Sequence, residues 1–307
     1  MLLALYNIRM KDISVIVVSY NTKDMTQSAL DSIQLSLSHS PTLTYEIIII
    51  DNNSQDGSAE MLASYKAHSI NGSIITILNN DNRGFGAANN QGIFIAKGTY
   101  ILLLNSDLIA DAVDFADLLS YMDQHPKVGV LTVRVELSSK KIDPASHRGF
   151  PTPWRSFAYF TKLQALTRPI PFLNKIFGGY HLTHKDITKA HEIDSPTGAF
   201  YLTRREIMKD IKGFDESFFM YGEDIDMSYR IKEKGFSIMY YPKYTVLHLK
   251  HQSGLKNTLK KAQSKTTYHF YNAMKIFYDK HYARRNPWIV NALIHKAIDC
   301  KYWLASR

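Results

Sequence analysis

The sequence contains one cysteine, Cys300, among 307 residues. A single thiol can form neither an internal disulfide nor a cysteine-based metal cluster, so we expect a protein of a reducing compartment. Long hydrophobic runs are also missing. The main candidates, residues 47–50 and 101–104, are the size of strands, whereas a bilayer-spanning helix needs ~18–20 apolar residues. These two absences argue against a secreted or membrane-spanning protein.

What is present is a globular composition, with 45% hydrophobic and 21% charged residues, and a formal net charge of +9. The excess of positive charge lies in the last fifth of the chain, where residues 250–307 contain twelve Lys and Arg but only two acids, Asp279 and Asp299. Such a block is typical of proteins with an anionic partner, whether nucleic acid, acidic lipid or an anionic substrate. The interleaved aromatic residues suit a membrane interface. Two solvated helices packed on the body are the alternative.

Short apolar strands alternate with helices in the first 110 residues. We expect strands at residues 13–18, 45–50, 74–78 and 99–104, with helices ending near Leu37, Ala67 and Ala96. Continuous apolar strands of this kind predict a parallel sheet that is buried on both faces, and therefore an α/β fold. Polar clusters end three of these strands, at the sheet edge where ligands of α/β proteins bind. Helix capping would explain each cluster singly.

The periodicity weakens after Val135. Residues 138–192 are rich in proline and aromatic residues, and we expect an irregular lid or substrate-facing segment there. Regular patterns return with a strand at residues 195–202, helices at 204–210 and 223–234, and strands at 236–241 and 244–248. The apolar residues 1–10 lack a basic leader and a cleavage site, so we interpret them as an N-terminal extension rather than a signal peptide.

A glycine-rich turn, Asn82-Arg83-Gly84-Phe85-Gly86, lies between a predicted strand and a predicted helix. It nearly matches the dinucleotide-binding fingerprint, but Asn89 stands where the third glycine belongs. Free backbone N–H groups at a helix start, beside an arginine, favour an anion such as a diphosphate.

Carboxylates and a histidine at predicted element ends could carry chemistry. Asp107 and His248 each end a strand and could ligate Mg or Mn, although a cap and an ordinary buried histidine are the simpler interpretations. Glu223 and Asp224 open a helix after an aromatic run. The helix dipole stabilises a carboxylate in the first turn, as simple capping requires and as a general base also requires.

Six segments resemble, in order, the motifs of family 2 glycosyltransferases of the GT-A fold, specifically the rhamnosyltransferase-like branch. They are VIVVSYN (residues 15–21), IIIIDNNSQDGS (47–58), NRGFGAANNQG (82–92), LLLNSD (102–107), the long segment 197–236 and HLKHQS (248–253). The resemblance covers roughly residues 13–253. It implies a Rossmann-like, mostly parallel sheet flanked by helices. The C-terminal helical extension is predicted from the residues, by the helical spacing of apolar side chains at 259–277 and by the cap at Asn286-Pro287.

The resemblance also implies a domain organisation. A GT-A glycosyltransferase domain spans residues 11–253, with a nucleotide-sugar-binding part at 11–110. The irregular acceptor or lid segment is 138–192, and the acceptor and catalytic part is 195–253. Residues 254–307 form a basic aromatic helical tail.

Roles are implied for individual residues as well. Asp51 binds the nucleotide base, and the other nucleotide-sugar contacts are Ser19, Asn21, Asn82, Arg83, Gly84 and Asn105. The divalent cation, Mg or Mn, is held by Asp107 and His248. The general base is Asp224, with Glu223 orienting the acceptor, and the acceptor site includes Gly198, Ala199 and Tyr221. Many relatives have Asp-x-Asp or Asn-Pro-Asp where this chain has Asn105-Ser106-Asp107, so only one carboxylate is present.

The function implied is an inverting, metal-dependent transfer of a hexose in bacterial surface polysaccharide or cell wall synthesis. The donor is a dTDP- or UDP-sugar, with dTDP-rhamnose preferred, and the acceptor is a glycan or lipid-linked glycan. The expected location is the cytoplasm, peripheral on the inner face of the cell membrane, with residues 254–307 against an anionic surface. Two alternatives remain: a nicotinamide- or other nucleotide-dependent enzyme, and a non-catalytic glycan- or nucleic-acid-binding protein. The chain has no RNA-binding module, and we expect no nucleic acid partner.

Overall fold

A computed structural model describes residues 11–65, 71–249 and 260–306. The predicted N-terminal extension, the predicted helix end near Ala67 and residues 250–253 of the last motif lie outside this part. Within it, the sheet has nine strands. They are β1 (Lys11–Ser19), β2 (Tyr45–Asp51), β3 (Gly72–Leu78), β4 (Gly98–Asn105), β5 (Leu108–Ile109), β6 (Val128–Leu137), β7 (His191–Ile193), β8 (Phe200–Arg204) and β9 (Ser237–His248).

Eleven α-helices accompany the sheet in the same part of the chain. They are α1 (Lys23–Ser38), α2 (Ser58–Ser64), α3 (Phe85–Ile95), α4 (Phe115–Gln124), α5 (Pro153–Phe160), α6 (Leu163–Thr167), α7 (Pro171–Phe177), α8 (Arg205–Asp210), α9 (Glu223–Glu233), α10 (Lys260–His281) and α11 (Trp288–Ala305). Among the described helices, none combines the length and the apolar character that a membrane crossing requires.

The strand order is β3-β2-β1-β4-β8-β6-β9-β5, and β7 pairs with β9. β1, β2, β3 and β4 are parallel, whereas β8 is antiparallel to both β4 and β6. This mixed sheet, flanked by helices and followed by two C-terminal helices, confirms the predicted α/β fold.

Both faces of the central strands are buried. Along β1, Val15 and Val17 belong to one apolar cluster, with Phe115 and Leu118 of α4, while Ile16 belongs to the cluster on the opposite face. Successive side chains of a strand point to opposite faces, so continuous apolar strands satisfy two helical layers at once. The continuous apolar runs in the sequence therefore follow from the position of these strands between two helical layers.

The structure differs from the predictions mainly in the second half. Residues 138–192 contain three short helices, α5, α6 and α7, where an irregular segment was predicted. β9 is one strand rather than two. Its register against β6 shifts between Tyr240 and Thr245, so the residues around Pro242 bulge from the ladder. β8 begins at Phe200, later than predicted.

The C-terminal helices are predicted correctly, and α10 packs closely on α9. Ala273 and Phe277 of α10 share an apolar cluster with Ile225 and Tyr229 of α9 and with Phe218 of the preceding loop. The described part of the tail is therefore attached to the helix that begins with Glu223 and Asp224.

Candidate functional site

The carboxyl ends of the three central parallel strands bring Ser19, Asp51 and Asn105 together. Ser19 pairs with Asp51 across β1 and β2, and Val18 pairs with Asn105 across β1 and β4. Asp51 Oδ1 and Asn105 Oδ1 are buried, and no described residue donates a hydrogen bond to either atom. Buried acceptors are normally paired, so these two oxygens are available to the N–H and O–H donors of a ligand.

Asn21 fixes the loop that follows β2. Its backbone N–H donates to Ser54 Oγ (2.9 Å), and its Oδ1 accepts from the N–H of Gln55 (2.7 Å). Asp51 Oδ2 in turn accepts from the N–H of Ser54 (3.0 Å). Asn21 has a φ of 52°, in the left-handed region that asparagine tolerates. The predicted contact residue therefore also shapes the pocket wall.

A buried residue that the sequence analysis missed, Asn52, organises the glycine-rich turn. Its Oδ1 accepts from Asn79 Nδ2 (3.1 Å) and from the N–H of Arg83 (3.2 Å). Its Nδ2 donates to Asn82 Oδ1 (2.9 Å) and to the carbonyl of Gly84 (3.3 Å). Asn52 directly follows Asp51 in the second motif, and the run of polar residues there was the available signal.

The turn is also held by the loop before α9. Gly84 has a φ of 82°, and a Cβ at this position would lie 2.4 Å from the carbonyl oxygen of Phe219. The N–H of Phe85 donates to the same carbonyl (3.1 Å). The Arg83 guanidinium is exposed and pairs with Asp81 at 3.4 Å. No contact among the described residues joins it to Asp107 or His248.

A histidine lies between two carboxylates where β4 and β9 end. His248 Nε2 lies 3.1 Å from Asp107 Oδ1, and His248 Nδ1 lies 2.9 Å from Asp143 Oδ2. Burial alone would lower the pKa of His248, but hydrogen bonds and charge attraction from the two aspartates raise it to about 9. Asp107 precedes β5 rather than a helix, so it is not a helix cap.

The donor set of this cluster fits a divalent cation. A carboxylate oxygen and an imidazole nitrogen converge, and Asp143 holds the other ring nitrogen, as carboxylates often do behind metal-binding histidines. A cation bound there would displace the proton from His248 Nε2. Asp143 was missed by the sequence analysis. Among the described residues, no group of three or more His, Cys, Asp or Glu is arranged to hold a metal. Asp107 and His248 would thus provide two ligands and leave further positions to phosphate oxygens and water.

Asp224 is held by three donors. Arg148 Nη2 pairs with Asp224 Oδ2 at 2.7 Å, and the N–H of Gly198 donates to the same oxygen (3.2 Å). Asp224 Oδ1 accepts from the N–H of Ile225 (2.7 Å). A carboxylate oxygen has two lone pairs, so Oδ1 can accept one more hydrogen bond. Arg148 was missed because it lies in the segment predicted to be irregular.

The carboxyl group of Glu223 has different surroundings from that of Asp224. Its Oε2 is buried, and no described residue donates to it. Burial, and then repulsion from the Asp224 carboxylate, raise the pKa of Glu223 to about 8. At neutral pH Glu223 is therefore mostly protonated and can donate a hydrogen bond. A buried carboxyl group with a raised pKa, next to a carboxylate paired with an arginine, is typical of catalytic sites.

Backbone contacts connect the carboxylate pair to the strand ends. The N–H of Gly198 contacts Asp224, and the carbonyl of the next residue, Ala199, accepts from the N–H of Asn105 (3.0 Å). Tyr221 precedes the pair with a φ of 70°, and its ring packs edge-on against Phe270 of α10. Of the predicted acceptor residues, Gly198 and Ala199 thus lie between Asp224 and the end of β4, whereas Tyr221 packs on α10.

Two family models match the chain. The model described as Glycosyl transferase family 2 matches residues 14–212, about two thirds of the chain. A model described as the N-terminal domain of galactosyltransferase matches residues 175–252. Together they cover the strand ends, the Asp107 region, the carboxylate pair and His248.

Two curated relatives are matched over different shares of their own length. The rhamnosyltransferase WbbL of Escherichia coli (strain K12) is 24% identical over 244 residues, which cover 77% of this chain and 83% of WbbL. The poly-beta-1,6-N-acetyl-D-glucosamine synthase of Staphylococcus aureus (strain MSSA476) is 24% identical over 76% of this chain. The match covers only 48% of that synthase, so the chain spans about half of its length.

Solved structures share the fold. S. aureus TarS 1-349 in complex with UDP-GlcNAc superposes with a TM-score of 0.55 at 16% identity, covering 86% of this chain and 65% of that one. The mannosyltransferase PcManGT from Pyrobaculum calidifontis, in complex with GDP-Man and Mn²⁺, gives 0.55 at 15% identity, covering 97% and 71%. At these identities the likeness concerns the fold alone, and it confirms the predicted GT-A fold.

Proposed function

Because the chain belongs to family 2 of the glycosyl transferases, we propose that it transfers a sugar from a nucleoside diphosphate sugar to a hydroxyl group of a glycan or lipid-linked glycan, with inversion at the anomeric carbon. The observation that carries this proposal is the backbone connection from Asp224 through Gly198 and Ala199 to Asn105. It joins the base to the strand ends where a nucleotide would bind, so that donor and acceptor can meet.

Asp224 acts as the general base in this proposal. Its Oδ1 retains acceptor capacity for the proton of the acceptor hydroxyl, while Arg148 and the N–H of Gly198 fix the carboxylate from the Oδ2 side. The acceptor oxygen forms a bond to the anomeric carbon as its proton moves to Asp224. The nucleoside diphosphate leaves from the opposite face, which inverts the configuration without a covalent enzyme intermediate.

Glu223 orients the acceptor. A protonated carboxyl beside an ionised one can donate to a second oxygen of the incoming sugar, and its buried, unpaired Oε2 can accept. Tyr221, Gly198 and Ala199 would complete the acceptor pocket. This division of roles follows from the different hydrogen-bond partners of the two carboxyl groups.

Asp107 and His248 are the proposed holders of Mg or Mn, with Asp143 orienting the histidine. The cation would offset the negative charge that develops on the departing diphosphate. The related fold of PcManGT, solved with GDP-Man and Mn²⁺, supports this assignment. Ser19, Asn21, Asp51 and Asn105 would bind the nucleoside, and the turn around Gly84 would form the adjacent wall.

The proposed donor is dTDP-rhamnose, and the proposed pathway is bacterial surface polysaccharide synthesis. The support for rhamnose is the likeness to WbbL, which covers 77% of this chain. A lipid-linked acceptor would place the enzyme on the cytoplasmic face of the cell membrane, with the basic tail toward anionic headgroups.

A panel of sugar nucleotides tests the proposal. Hydrolysis of dTDP-rhamnose, UDP-GlcNAc, UDP-glucose and GDP-mannose would be measured with Mn²⁺, with Mg²⁺ and with EDTA. We expect dTDP-rhamnose to be turned over fastest, and EDTA to remove the activity until a divalent cation is restored. Turnover that resists EDTA would contradict the metal assignment, preference for another nucleotide sugar would contradict rhamnose, and no turnover of any donor would contradict the proposed reaction.

A further inference from the structure

Two of the three helices between β6 and β7, α6 and α7, bury polar rather than apolar residues. Their buried residues are Gln164, Thr167 and Asn174. Large apolar side chains are exposed instead, and Leu166 and Phe172 have 70% and 71% of their surface accessible. The exposed set, here called the α5–α7 face, is Trp154, Phe157, Leu166, Ile170, Phe172 and Ile176. A contiguous apolar patch on a protein surface marks an interaction site.

The buried polar residues have partners, so the arrangement is built into the fold. Gln164 Nε2 lies 2.8 Å from His181 Nδ1, and Asn174 Oδ1 accepts from Thr183 Oγ1 (2.6 Å). On the exposed side, the Trp154 indole N–H donates to the carbonyl of Ile176 (3.2 Å), and this contact ties α5 to α7. The polar residues of α6 and α7 therefore face the protein, and the large apolar residues of the segment face outward.

The charged residues of α5, α6, α7 and the loops that join them are all positive. Residues 144–185 contain no aspartate or glutamate. The exposed cations on or beside the three helices are Lys162, Arg168, Lys175 and Lys185. Aromatic and aliphatic side chains ringed by cations fit the headgroup region of a membrane that contains anionic lipids.

We propose that the α5–α7 face is a docking surface for an anionic lipid bilayer, into which its apolar side chains insert. This inference deepens the proposed function and rests on it, because it makes the membrane the source of a lipid-linked acceptor. Arg148 lies a few residues before α5 and pairs with Asp224, so the chain that forms the α5–α7 face also contacts the proposed general base. The C-terminal end of α11 lies beside this surface, since Lys301 Nζ is 5.3 Å from the ring centre of Phe160 of α5.

The charge also distinguishes a bilayer from a second copy of this chain. A symmetric dimer through the α5–α7 face would bring Lys162, Arg168 and Lys175 of each copy toward the same cations of the other. Anionic headgroups would instead neutralise them. The occupant that matches both the apolar and the basic residues is therefore the lipid.

Vesicle sedimentation tests the surface directly with the full chain. Wild-type protein would be mixed with phosphatidylcholine vesicles, with and without about 30% phosphatidylglycerol. The charge variant combines Lys162→Gln, Arg168→Gln and Lys175→Gln, and the apolar variant combines Ile170→Ser and Phe172→Ser. Matched controls are the triple Lys97→Gln, Lys127→Gln, Lys209→Gln and the single Phe94→Ser, which all alter exposed side chains on other elements.

We expect wild type and both controls to sediment with the anionic vesicles. The charge variant should bind them about 100-fold more weakly, at about fivefold per removed cation. The apolar variant should lose at least about tenfold in binding. Hydrolysis of the sugar nucleotide in solution should be unchanged in all variants, because none of these residues lies in the proposed site.

Several outcomes would overturn the proposal that the α5–α7 face binds a bilayer. Equal vesicle binding by wild type and both variants would do so, as would no vesicle binding by an enzyme that hydrolyses its donor. Size-exclusion chromatography that shows a dimer, lost in the Ile170 and Phe172 variant, would assign the face to a second copy. Vesicle binding without hydrolysis of any sugar nucleotide would leave the surface intact and remove the proposed function, so the two failures are distinguishable.

Discussion

Glu223 and Asp224 are neighbours in the sequence, yet their carboxyl groups meet different surroundings. Asp224 has an arginine and two backbone N–H donors, whereas Glu223 Oε2 is buried with no donor among the described residues. Unequal environments of this kind assign different protonation states to chemically similar groups. The roles of base and orienting acid in the proposed reaction come from this difference.

The raised pKa of Glu223 has a consequence for stability. Glu223 has a pKa near 4.5 in the unfolded protein and about 8 in the folded protein. Because the folded protein holds this proton more tightly, ionisation of Glu223 lowers the unfolding free energy as the pH rises from about 4.5 to about 8. In Glu223→Gln this cost is absent. We expect the variant to gain at least ~2 kcal/mol of unfolding free energy over wild type between pH 5.5 and 8.5. Urea unfolding at several pH values measures the unfolding free energy of both proteins. The same pH dependence in wild type and variant would contradict the buried environment described for Glu223.

Strand-end residues could be predicted from the sequence, whereas their supporting partners could not. Asp51 and Asp107 follow apolar strands directly, so the edge of the sheet where they lie is implied by the pattern. Asp143 reaches His248 across 105 positions, and Arg148 reaches Asp224 across 76. Contacts of such separation have no local signature, because the fold alone brings the partners together.

The glycine-rich turn is under a tight steric limit. Gly84 and Gly235 both have positive φ, of 82° and 87°, but a Cβ on Gly84 would collide with the Phe219 carbonyl, whereas one on Gly235 would meet nothing within 4 Å. Gly84 also has a ψ of 172°, a backbone conformation that is essentially confined to glycine, so backbone strain adds to the collision there. The collision is specific to Gly84.

We therefore expect Gly84→Ala to lower the unfolding free energy by at least ~1 kcal/mol more than Gly235→Ala. Gly84→Ala should also weaken binding of the nucleoside diphosphate, since the turn forms one wall of the proposed donor site. Chemical unfolding and calorimetric titration with the nucleotide measure the two effects. Equal behaviour of the two variants would show that the turn and the loop at Phe219 are not packed as described.

The helix α10 holds α9 through one buried carboxylate. Asp226 Oδ1 contacts Lys280 Nζ (2.7 Å) and His281 Nε2 (2.8 Å), and Asp226 Oδ2 contacts Arg230 Nε (2.8 Å). Asp226 lies two residues after Asp224. The position of the proposed base thus depends on side chains from the tail.

Removing His281 should destabilise the protein and misplace α9. We expect His281→Ala to cost about 2–4 kcal/mol and to reduce kcat, because a buried carboxylate loses a partner. His295→Ala is the matched control. Its Nε2 lies 2.7 Å from Asp279 Oδ1 in an exposed pair, which contributes at most ~1 kcal/mol. Similar losses of stability in the two variants would mean that the Asp226 cluster does not support α9.

The helices α5, α6 and α7 show why the second half of the fold was harder to predict. A helix that packs on a core shows apolar residues at its buried positions, and the prediction relies on that rule. Here Gln164 and Asn174 are buried, and Leu166 and Phe172 are exposed. These helices have 8, 5 and 7 residues, too few to show a clear helical period, and prolines begin α5 and α7, so the segment was predicted to be irregular.

At the scale of the whole molecule, the sheet explains how distant motifs meet. Four parallel strands end at one edge of the sheet, and the apolar pattern predicts the strands but not their order. The antiparallel β8 then returns beside β4 and places Gly198 and Ala199 next to Asn105. The first half of this architecture could be predicted from local pattern. The second half depends on antiparallel and bulged pairings that the pattern does not encode.

The central claim is that Asp224 takes a proton from an acceptor beside a separately bound donor. Its most direct test is Asp224→Asn, with the exposed Asp210→Asn as the matched control, assayed for sugar transfer and for nucleotide binding. The account predicts a loss of about 10²–10⁴-fold in kcat for Asp224→Asn, an unchanged Kd for the nucleoside diphosphate, and wild-type values for Asp210→Asn. A kcat within about tenfold of wild type in a folded Asp224→Asn protein would contradict it.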